Sequence, residues 1–357
     1  MKKIAFYIYS LNRGGAERVL LALIEYLKEK YQIVLITDAI EKCEYTLPEG
    51  IHRINIGTCT YKGIFKKLSP IWRLRQLQAI VKKEKADVLV AFMLQNGVRA
   101  LMAHVFSKQR IIAAVRSDPA WEYPTKWKRM WVNAWMSKAD KVVCQTGMQR
   151  DFFCKSVQRK TTLIANAVRE DFPYALPYEQ RQKKIVSSGR LVDYKNHLML
   201  IKAFERAKEY LKDYRVYIYG EGPYRDVLEQ YLEEHSLTNQ VFLPGDVEDV
   251  AGHIQDAELF VLPSNTEGMP NALMEAMQMG IAVISTDCPC GGPRSLLENG
   301  KNGYLCEVNN DEQLAQIMCM LLRDKKRLQE VGNEALTIRE THCPKEIYGA
   351  WEKLLFN

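Results

Sequence analysis

Residues 259–285 read LFVLPSNTEGMPNALMEAMQMGIAVIS and contain a strand, a turn, a helix and a second strand. Residues 259–262 are a continuous apolar run of strand length, and residues 282–285 are apolar except for Ser285. Between them, Gly268 and Pro270 mark a turn, and residues 271–279 are predicted to form a helix. Apolar strands separated by helices are typical of a parallel sheet that is covered on both faces. This stretch therefore predicts an α/β fold.

The same alternation extends along the 357 residues, a length that favours two domains. Strands are predicted at 4–9, 33–37, 88–92, 111–115, 142–144 and 162–164, and again at 184–188, 215–219, 241–243, 259–262, 282–285 and 304–306. Residues 170–182 contain two prolines and no periodicity, which indicates a linker. We therefore expect two doubly wound domains, 1–170 and 183–343, followed by an amphipathic helix over 344–357 that docks on another part of the protein.

The composition, with 47% apolar and 26% charged residues, is that of a globular protein. No run approaches the roughly 18 apolar residues of a membrane span. The apolar run at 4–9 is followed at once by polar residues, so it predicts a buried strand rather than a signal peptide, and we expect a cytoplasmic location. The nine cysteines are scattered singly, which predicts reduced thiols and no metal site.

Positive charge is concentrated in the first half of the chain. Residues 1–170 hold 30 Lys and Arg against 14 Asp and Glu, whereas the remainder holds 20 against 29. Such a basic half predicts an anionic partner. Residues 62–75 and 126–135 mix cations with large apolar residues and are candidates for peripheral binding to an anionic membrane; the alternative for Trp127, Trp131 and Trp135 is a buried helix face. No nucleic-acid-binding module is recognisable.

The turn at Glu267–Pro270 is the most informative site signal. Asn271 is a good N-cap, and the N–H groups of a helix start attract anions such as a pyrophosphate. Glu275, one turn into the helix, is placed to accept hydrogen bonds from a ribose, and Glu267 to bind a sugar hydroxyl. The alternative is an ordinary turn with two solvated carboxylates.

A second signal follows the strand at 184–188, where Arg190 and Lys195 lie on one short loop. Two cations suit a diphosphate, although the alternative is ordinary surface charge. The turn Gly220-Glu221-Gly222 follows the next strand and permits close approach of a ligand to the backbone.

The loop Asn12–Glu17 opens the first helix with Gly14-Gly15 but lacks the GxGxxG pattern. Asp38 ends the second strand, where the ribose partner of NAD would lie. A hydride-transferring enzyme is therefore one alternative, although it leaves Arg190, Lys195 and the two glutamates unused. A non-catalytic protein that only binds a nucleotide-sugar is a second alternative, because the residues that bind such a ligand would also serve an enzyme that transfers its sugar.

Taken in order, these motifs resemble the retaining nucleotide-sugar glycosyltransferases of family 4. Gly189-Arg190-Leu191 with Lys195-Asn196, Gly220-Glu221-Gly222-Pro223, and Glu267 with Glu275 occur in that family's order. Residues 285–293 and 299–304 resemble the bacterial members that build surface polysaccharides and lipid-linked oligosaccharides.

The resemblance implies a GT-B fold, with two doubly wound domains facing a central cleft and the last helix crossing back to the first domain. It implies that Arg190, Lys195 and Glu267 form the catalytic set. The implied donor contacts are Gly15, Arg190, Lys195, Glu221, Val247, Glu267, Gly268, Met269, Pro270, Asn271, Ala272, Leu273 and Glu275. It further implies a UDP-sugar donor, a saccharide or undecaprenyl-type lipid-linked acceptor, and no other cofactor. No DxD metal motif is present, and the two cations would neutralise the diphosphate instead.

The chain departs from the family pattern at residues 115–119, the loop that follows the fifth strand in the family fold. Many relatives place a histidine there, whereas residues 115–119 read Val-Arg-Ser-Asp-Pro. Arg116 and Asp118 are therefore the candidates for the acceptor side. Asp118 would accept a proton or orient a hydroxyl, or would simply be a turn residue before Pro119.

Overall fold

The computed structural model describes residues 1–57, 69–104 and 108–356. Its chain forms two compact units, Met1–Ala167 with Lys345–Asn357, and Val168–Pro344. The basic residues of the predicted membrane-binding segment at 62–67 lie outside the described residues.

The first unit contains a sheet of seven parallel strands. They are β1 (Lys3–Ile8), β2 (Gln32–Thr37), β3 (His52–Asn55), β4 (Val88–Phe92), β5 (Arg110–Ala114), β6 (Lys141–Cys144) and β7 (Thr161–Leu163), in the order β3-β2-β1-β4-β5-β6-β7. The strand β3 was not predicted: it is a short edge strand with no buried residue, so it carries no apolar run.

Helices cover both faces of this sheet. They are α1 (Gly15–Leu27), α2 (Ser69–Glu84), α3 (Leu94–Ala103), α4 (Pro119–Glu122), α5 (Lys126–Met136), α6 (Gly147–Asp151), α7 (Lys155–Gln158) and, at the end of the chain, α16 (Pro344–Phe356). Trp351 of α16 is fully buried, and its ring stacks on Phe92 of β4 with the centroids 5.6 Å apart. The amphipathic last helix therefore packs on the first unit, as the fold class requires.

The second unit contains six parallel strands, β8 (Gln182–Ser188), β9 (Arg215–Tyr219), β10 (Val241–Gly245), β11 (Ala257–Leu262), β12 (Ala282–Thr286) and β13 (Tyr304–Cys306), in the order β10-β9-β8-β11-β12-β13. Its helices are α8 (His197–Ala207), α9 (Arg225–Glu234), α10 (Val250–Ile254), α11 (Asn271–Met279), α12 (Gly292–Leu296), α13 (Asp311–Arg323), α14 (Lys325–Ala335) and α15 (Ile338–Thr341). Every strand that the sequence predicts in this half is present.

Residues 170–182, the predicted linker, lie within the second unit. The Ala175 N–H donates to the Met279 carbonyl at 2.9 Å, and the Leu176 N–H donates to the Gln255 carbonyl at 2.8 Å. The guanidinium of Arg339 donates to the Phe172 carbonyl at 2.8 Å. These bonds explain how a segment without periodicity keeps a defined path on this unit.

Candidate active site

The order of strands in the second unit brings two loops together. The chain leaves β8 toward β9 and β10, and later returns to pair β11 on the other side of β8. The strand order therefore reverses direction at β8, which makes this position a topological switch point. In open parallel sheets, ligands bind outside the carboxyl ends of the strands at such a point. The two loops that flank this point are residues 189–196, after β8, and residues 263–270, after β11. They are the loops that carry the predicted catalytic residues.

Backbone and amide bonds tie these two loops to each other. The Asn265 N–H donates to the Tyr194 carbonyl at 2.8 Å, and the Asn196 amide donates to the Asn265 side chain at 2.8 Å. Asn196 adopts a left-handed conformation with φ of 50°, which asparagine tolerates better than most residues. The loops therefore hold Arg190, Lys195 and Glu267 on one connected support.

Lys195 and Glu267 form an ion pair. The Lys195 ammonium donates to Glu267 Oε1 at 2.6 Å, and the Ser264 hydroxyl donates to the same oxygen at 2.7 Å. The two side chains are only 18% and 11% exposed, so water screens the pair weakly. Neither bond uses Oε2 of Glu267, and the ammonium has three N–H donors. The pair therefore keeps both an acceptor and donors for a ligand.

Arg190 is exposed on the loop after β8, where its guanidinium donates to the Tyr194 hydroxyl at 2.6 Å. Glu221 follows β9 and pairs with Arg225 at 2.5 Å, which lowers the pKa of the Glu221 carboxyl. Val247 lies beyond the end of β10. Glu221 and Val247 thus follow β9 and β10, the two strands on one side of β8, at the same edge of the sheet.

The helix α11 begins at Asn271 and its N-cap is Pro270, which forms no side-chain cap. The prediction that Asn271 is the N-cap is therefore wrong: Asn271 is the first helical residue, because Pro270 takes the extended capping conformation with ψ of 108°. The first N–H groups of a helix have no partner within the helix, and its dipole favours an anion there. Glu275 lies partly buried one turn further along.

The other predicted donor contacts, Gly268, Met269, Ala272 and Leu273, surround this helix start. Leu273 is fully buried, so neither its side chain nor its backbone is exposed to a ligand. Gly292, at the start of α12, packs against the carbonyl of Gly268, and a Cβ at Gly292 would overlap that oxygen. Within residues 267–273, Glu267, Asn271 and Ala272 are partly exposed, whereas Gly268, Met269, Pro270 and Leu273 are buried.

Glycines also allow the turn after β9 to pack on the loop after β8. The Gly189 N–H donates to the Tyr219 carbonyl and the Leu191 N–H to the Glu221 carbonyl, both at 2.9 Å. Gly220 has φ of +138°, and a Cβ there would overlap the carbonyl oxygen of Gly189. The Gly220-Glu221-Gly222 motif consequently supports the loop of Arg190 and Lys195.

His197 lies buried beneath the same loop and was missed by the sequence analysis. Burial, helped by the charge of Lys195, lowers the pKa of the His197 imidazole to about 4. Nδ1 lies 3.3 Å from the Ser187 hydroxyl. A neutral imidazole in this place links the start of α8 to the cationic loop. The sequence signal that could have identified His197 is its position directly after Lys195-Asn196.

In the first unit, Gly15 is the first residue of α1, and Gly14 caps it in an extended conformation. Asp38 is almost fully buried, and it accepts hydrogen bonds from the Tyr7 hydroxyl at 3.0 Å and from Arg99 at 3.2 Å. Burial raises the pKa of this carboxyl. Asp38 is thus engaged inside the unit rather than offered to a ribose, which weighs against the NAD hypothesis.

Arg116 follows β5 and is buried, with only 8% of its surface exposed. Its guanidinium lies over the rings of Phe92, at 4.8 Å, and Trp351, at 5.2 Å, and donates to the Asn166 side chain at 3.2 Å. Burial lowers the pKa of Arg116 to about 10. Among the described residues, Nε and Nη2 have no hydrogen-bond partner.

Asp118 caps α4, because its Oδ1 accepts the Ala120 N–H at 2.8 Å. Asp118 is therefore a turn residue before Pro119, which is one of the two roles that the sequence left open. Arg116 and Asp118 lie together at the carboxyl edge of the first sheet.

Two family profiles match the chain. "Glycosyltransferase Family 4" matches residues 13–172, and "Glycosyl transferases group 1" matches residues 168–337. The chain belongs to the family 4 glycosyltransferases. The resemblance to family 4 found in the sequence is therefore confirmed, and the two matches together extend from residue 13 to residue 337.

Two relatives of this glycosyltransferase come from Campylobacter jejuni. One is an N-acetylgalactosamine-N,N'-diacetylbacillosaminyl-diphospho-undecaprenol 4-alpha-N-acetylgalactosaminyltransferase, 28% identical over 94% of both chains. The other is a GalNAc-alpha-(1->4)-GalNAc-alpha-(1->3)-diNAcBac-PP-undecaprenol alpha-1,4-N-acetyl-D-galactosaminyltransferase, 24% identical over 99% of this chain and 98% of its own. Among solved structures, HepE of Anabaena in complex with UDP and glucose matches with a TM-score of 0.84 over 99% of both chains at 17% identity. The GT-B fold predicted from the sequence is confirmed.

The glycosyltransferase thus places its predicted site residues in two groups. Arg190, Lys195 and Glu267 lie on neighbouring loops of the second unit, next to α11, which carries Glu275. Gly15, Arg116 and Asp118 lie at the carboxyl ends of strands of the first unit. Sequence reasoning missed Ser264, Asn265 and His197, which hold the first group in place.

Proposed function

We propose that this protein is a retaining, metal-independent glycosyltransferase that transfers a hexose or an N-acetylhexosamine from a UDP-sugar to a lipid-linked saccharide in cell-surface polysaccharide biosynthesis. The observation that carries this proposal is the weakly screened pair of Lys195 and Glu267 on the loops that flank the strand reversal. This pair joins a cation suited to a diphosphate with a carboxylate suited to sugar hydroxyls.

The donor is assigned to the second unit. Arg190, Lys195 and the first N–H groups of α11 bind the diphosphate, because all three present positive charge or aligned dipoles. Glu275 binds the ribose, and Glu267 binds the transferred sugar through Oε2. Glu221 and the backbone around Val247 face the nucleoside end, and Gly15 is the proposed contact from the first unit.

The proposed reaction follows front-face substitution. The bond between the anomeric carbon and the phosphate oxygen breaks, and the acceptor oxygen forms the new bond on the same face. The acceptor proton passes to the departing phosphate oxygen, so no dedicated base is required. Lys195 and Arg190 stabilise the charge on the leaving UDP, which is the charge a metal ion would otherwise neutralise.

The acceptor is assigned to Arg116 and Asp118 in the first unit. Arg116 has N–H donors without a partner among the described residues, and Asp118 supplies a carboxylate that orients a hydroxyl. Because two relatives are named for undecaprenol-diphosphate-linked acceptors, we assign an undecaprenyl-type lipid-linked saccharide to this protein. Such an acceptor requires the enzyme to work at a membrane surface, and we propose the cytoplasmic face.

The test is a transfer assay with UDP-glucose, UDP-galactose and their N-acetylated forms, using diphosphate-linked saccharide acceptors. We expect one donor to add one sugar residue, with the anomeric configuration of the donor retained by NMR and with no loss of rate in EDTA. Lys195→Ala should abolish transfer, whereas Lys183→Ala, which removes an exposed cation of the same unit, should not.

Two results would contradict the proposal. Inversion of the anomeric centre or a loss of rate in EDTA would refute the mechanism. Donor-induced thermal stabilisation without release of UDP in the presence of any acceptor would instead identify a non-catalytic nucleotide-sugar binder.

A further inference from the structure

Four large apolar side chains are exposed on α4 and α5 of the first unit. They are Trp121, Trp127, Met130 and Trp131, and their exposed fractions run from 47% at Trp131 to 78% at Trp127. We call these four residues the aromatic surface. Large apolar side chains that cluster outside a core mark a site of interaction.

The tryptophan repeat at 127, 131 and 135 does not form one buried face. Val132 and Met136 are the buried residues of α5, and Trp135 packs partly buried against the core of the first unit. Trp127 and Trp131 point away from that core and are exposed. The helix is thus anchored through its second half, and residues 126–131 are left outside the core.

The aromatic surface has a defined structure. The rings of Tyr123 and Trp131 stack with their centroids 6.4 Å apart, and the Arg129 guanidinium donates to the Tyr123 carbonyl at 3.3 Å. Thr125 caps α5 by accepting the Lys128 N–H. The tryptophans are therefore presented on an ordered support.

The surroundings of the aromatic surface are strongly basic. Lys126, Lys128 and Arg129 are exposed between its members, and residues 123–139 contain no acidic side chain. Tryptophan favours the boundary between lipid and water because its ring is apolar and its N–H is polar. Lysine and arginine are attracted by anionic headgroups. The charge and the side-chain types together fit the surface of an anionic bilayer.

The aromatic surface adjoins the proposed acceptor residues. Asp118 is the N-cap of α4, and Trp121 lies within that same short helix. A lipid-linked acceptor has a saccharide that must reach the reacting residues and a hydrocarbon chain that must stay in the bilayer. Residues 116–131 form one continuous segment that suits both parts of this acceptor. Its polar end, with Arg116 and Asp118, suits the saccharide, and its apolar and basic end, on α5, suits the bilayer that holds the hydrocarbon chain.

We propose that the aromatic surface inserts into the headgroup region of an anionic membrane and so positions the protein on the bilayer that carries its acceptor. The occupant of this surface is the lipid bilayer itself. The proposal rests on the proposed function in one respect, since it makes the lipid part of the acceptor the reason for the insertion.

The test measures binding of the full chain to vesicles of phosphatidylcholine with and without phosphatidylglycerol by flotation. We expect binding to the anionic vesicles that weakens with salt. Trp127→Ala with Trp131→Ala should lower the partition coefficient about tenfold or more. Lys126→Gln with Lys128→Gln should lower it about 25-fold, which is about fivefold for each cation. Lipids brominated near the headgroup should quench wild-type tryptophan fluorescence, and this quenching should decrease in the tryptophan variant.

Two matched controls lie on the second unit. Tyr210→Ala removes a comparably exposed aromatic ring, and Lys326→Gln removes an exposed lysine. Both controls should bind vesicles as the wild type does. Equal flotation of the wild type and the α5 variants would overturn the proposal. A wild-type dimer that ignores vesicles and becomes a monomer in the tryptophan variant would also overturn it, by assigning the surface to a second copy of the chain.

A second pair of assays separates this inference from the proposed function. With a water-soluble acceptor that carries a short alkyl chain, the α5 variants should keep the wild-type transfer rate. With the long-chain acceptor in anionic vesicles, they should lose at least tenfold. If the wild type transfers sugar to neither acceptor, the proposed function fails while flotation still decides the role of the surface. If the variants lose the same rate with both acceptors, the surface acts on catalysis and the membrane proposal fails.

Discussion

Removal of the Lys195 ammonium should affect both the stability of the second unit and its affinity for the donor. In Lys195→Ala, Glu267 keeps its bond from Ser264 but loses its cation while it remains only 11% exposed. An uncompensated carboxylate in such a place is costly, because little water reaches it. The variant therefore changes the ligand-free protein as well as the complex.

The expected magnitudes follow from that burial. Breaking a buried pair by removing one partner costs roughly 3–5 kcal/mol, and partial exposure of this pair places the loss near the lower end, at about 3 kcal/mol. A hydrogen bond from a charged donor contributes about 1.5–3 kcal/mol, so the affinity for a UDP-sugar should fall roughly 10- to 150-fold.

The chain offers a matched control in Lys183, whose ammonium lies 2.7 Å from Asp213. The length of this pair is nearly that of the Lys195 pair, but its side chains are 50% and 59% exposed. Exposed pairs contribute at most about 1 kcal/mol. Lys183→Ala should therefore leave donor affinity unchanged and stability nearly so.

The assay combines isothermal titration with a UDP-sugar and urea unfolding of four proteins: wild type, Lys195→Ala, Glu267→Gln and the double variant. Since each single change removes the same interaction, the free energies of unfolding should couple by about 1–3 kcal/mol, and the double variant should recover part of the loss. Donor affinity should not recover, because the diphosphate still lacks its cation. Additive stability effects within about 0.5 kcal/mol, with unchanged affinity, would refute the reasoning.

Three further outcomes are expected. Glu267→Gln should keep the affinity for UDP within about threefold but lower kcat roughly 10²-fold, because a misplaced sugar reacts slowly; a lower affinity for UDP with unchanged kcat would contradict this role. Gly220→Ala should destabilise the second unit by more than about 2 kcal/mol and weaken donor binding, because the new Cβ overlaps the Gly189 carbonyl. The control is Gly147→Ala, where the new Cβ has open space around it. This control should be nearly neutral in the same unfolding and titration measurements. The pKa of His197 is near 6.5 in the unfolded chain and about 4 in the folded protein, so below pH 6.5 the unfolded chain gains a proton that the folded protein does not. As the pH decreases from 6.5 to about 4, the free energy of unfolding should therefore decrease by up to about 1.4 kcal/mol per pH unit. Urea unfolding at pH 7.5 and pH 5 should show a smaller decrease in His197→Gln, and an equal decrease would assign the acid sensitivity elsewhere.

The parts of the protein that depend on local pattern were predictable from the sequence. Buried parallel strands are apolar along their whole length, so both sheets could be located without tertiary information. The edge strand β3 was missed, since its four residues are not buried and carry no apolar run. Asn271 was wrongly assigned as a cap because a good capping residue followed a proline, and local propensity does not distinguish the N-cap from the first helical residue.

The residues of the candidate site were found by type and order, but their arrangement was decided by tertiary structure. Lys195 and Glu267 are 72 positions apart, and they meet because β11 pairs with β8 rather than with β10. The same is true of His197, whose burial beneath the cationic loop fixes its neutral state.

Exposure was also a property of the tertiary structure. A stripe of tryptophans at helical spacing fits a core face and a membrane surface equally well, since periodicity records only which residues share a face. The packing of α5 through Val132, Trp135 and Met136 left Trp127 and Trp131 outside. The sequence determined the fold class, the family and the chemical types at the site. The tertiary structure decided which of these groups meet and which remain in contact with water, because both depend on contacts between residues that are distant along the chain.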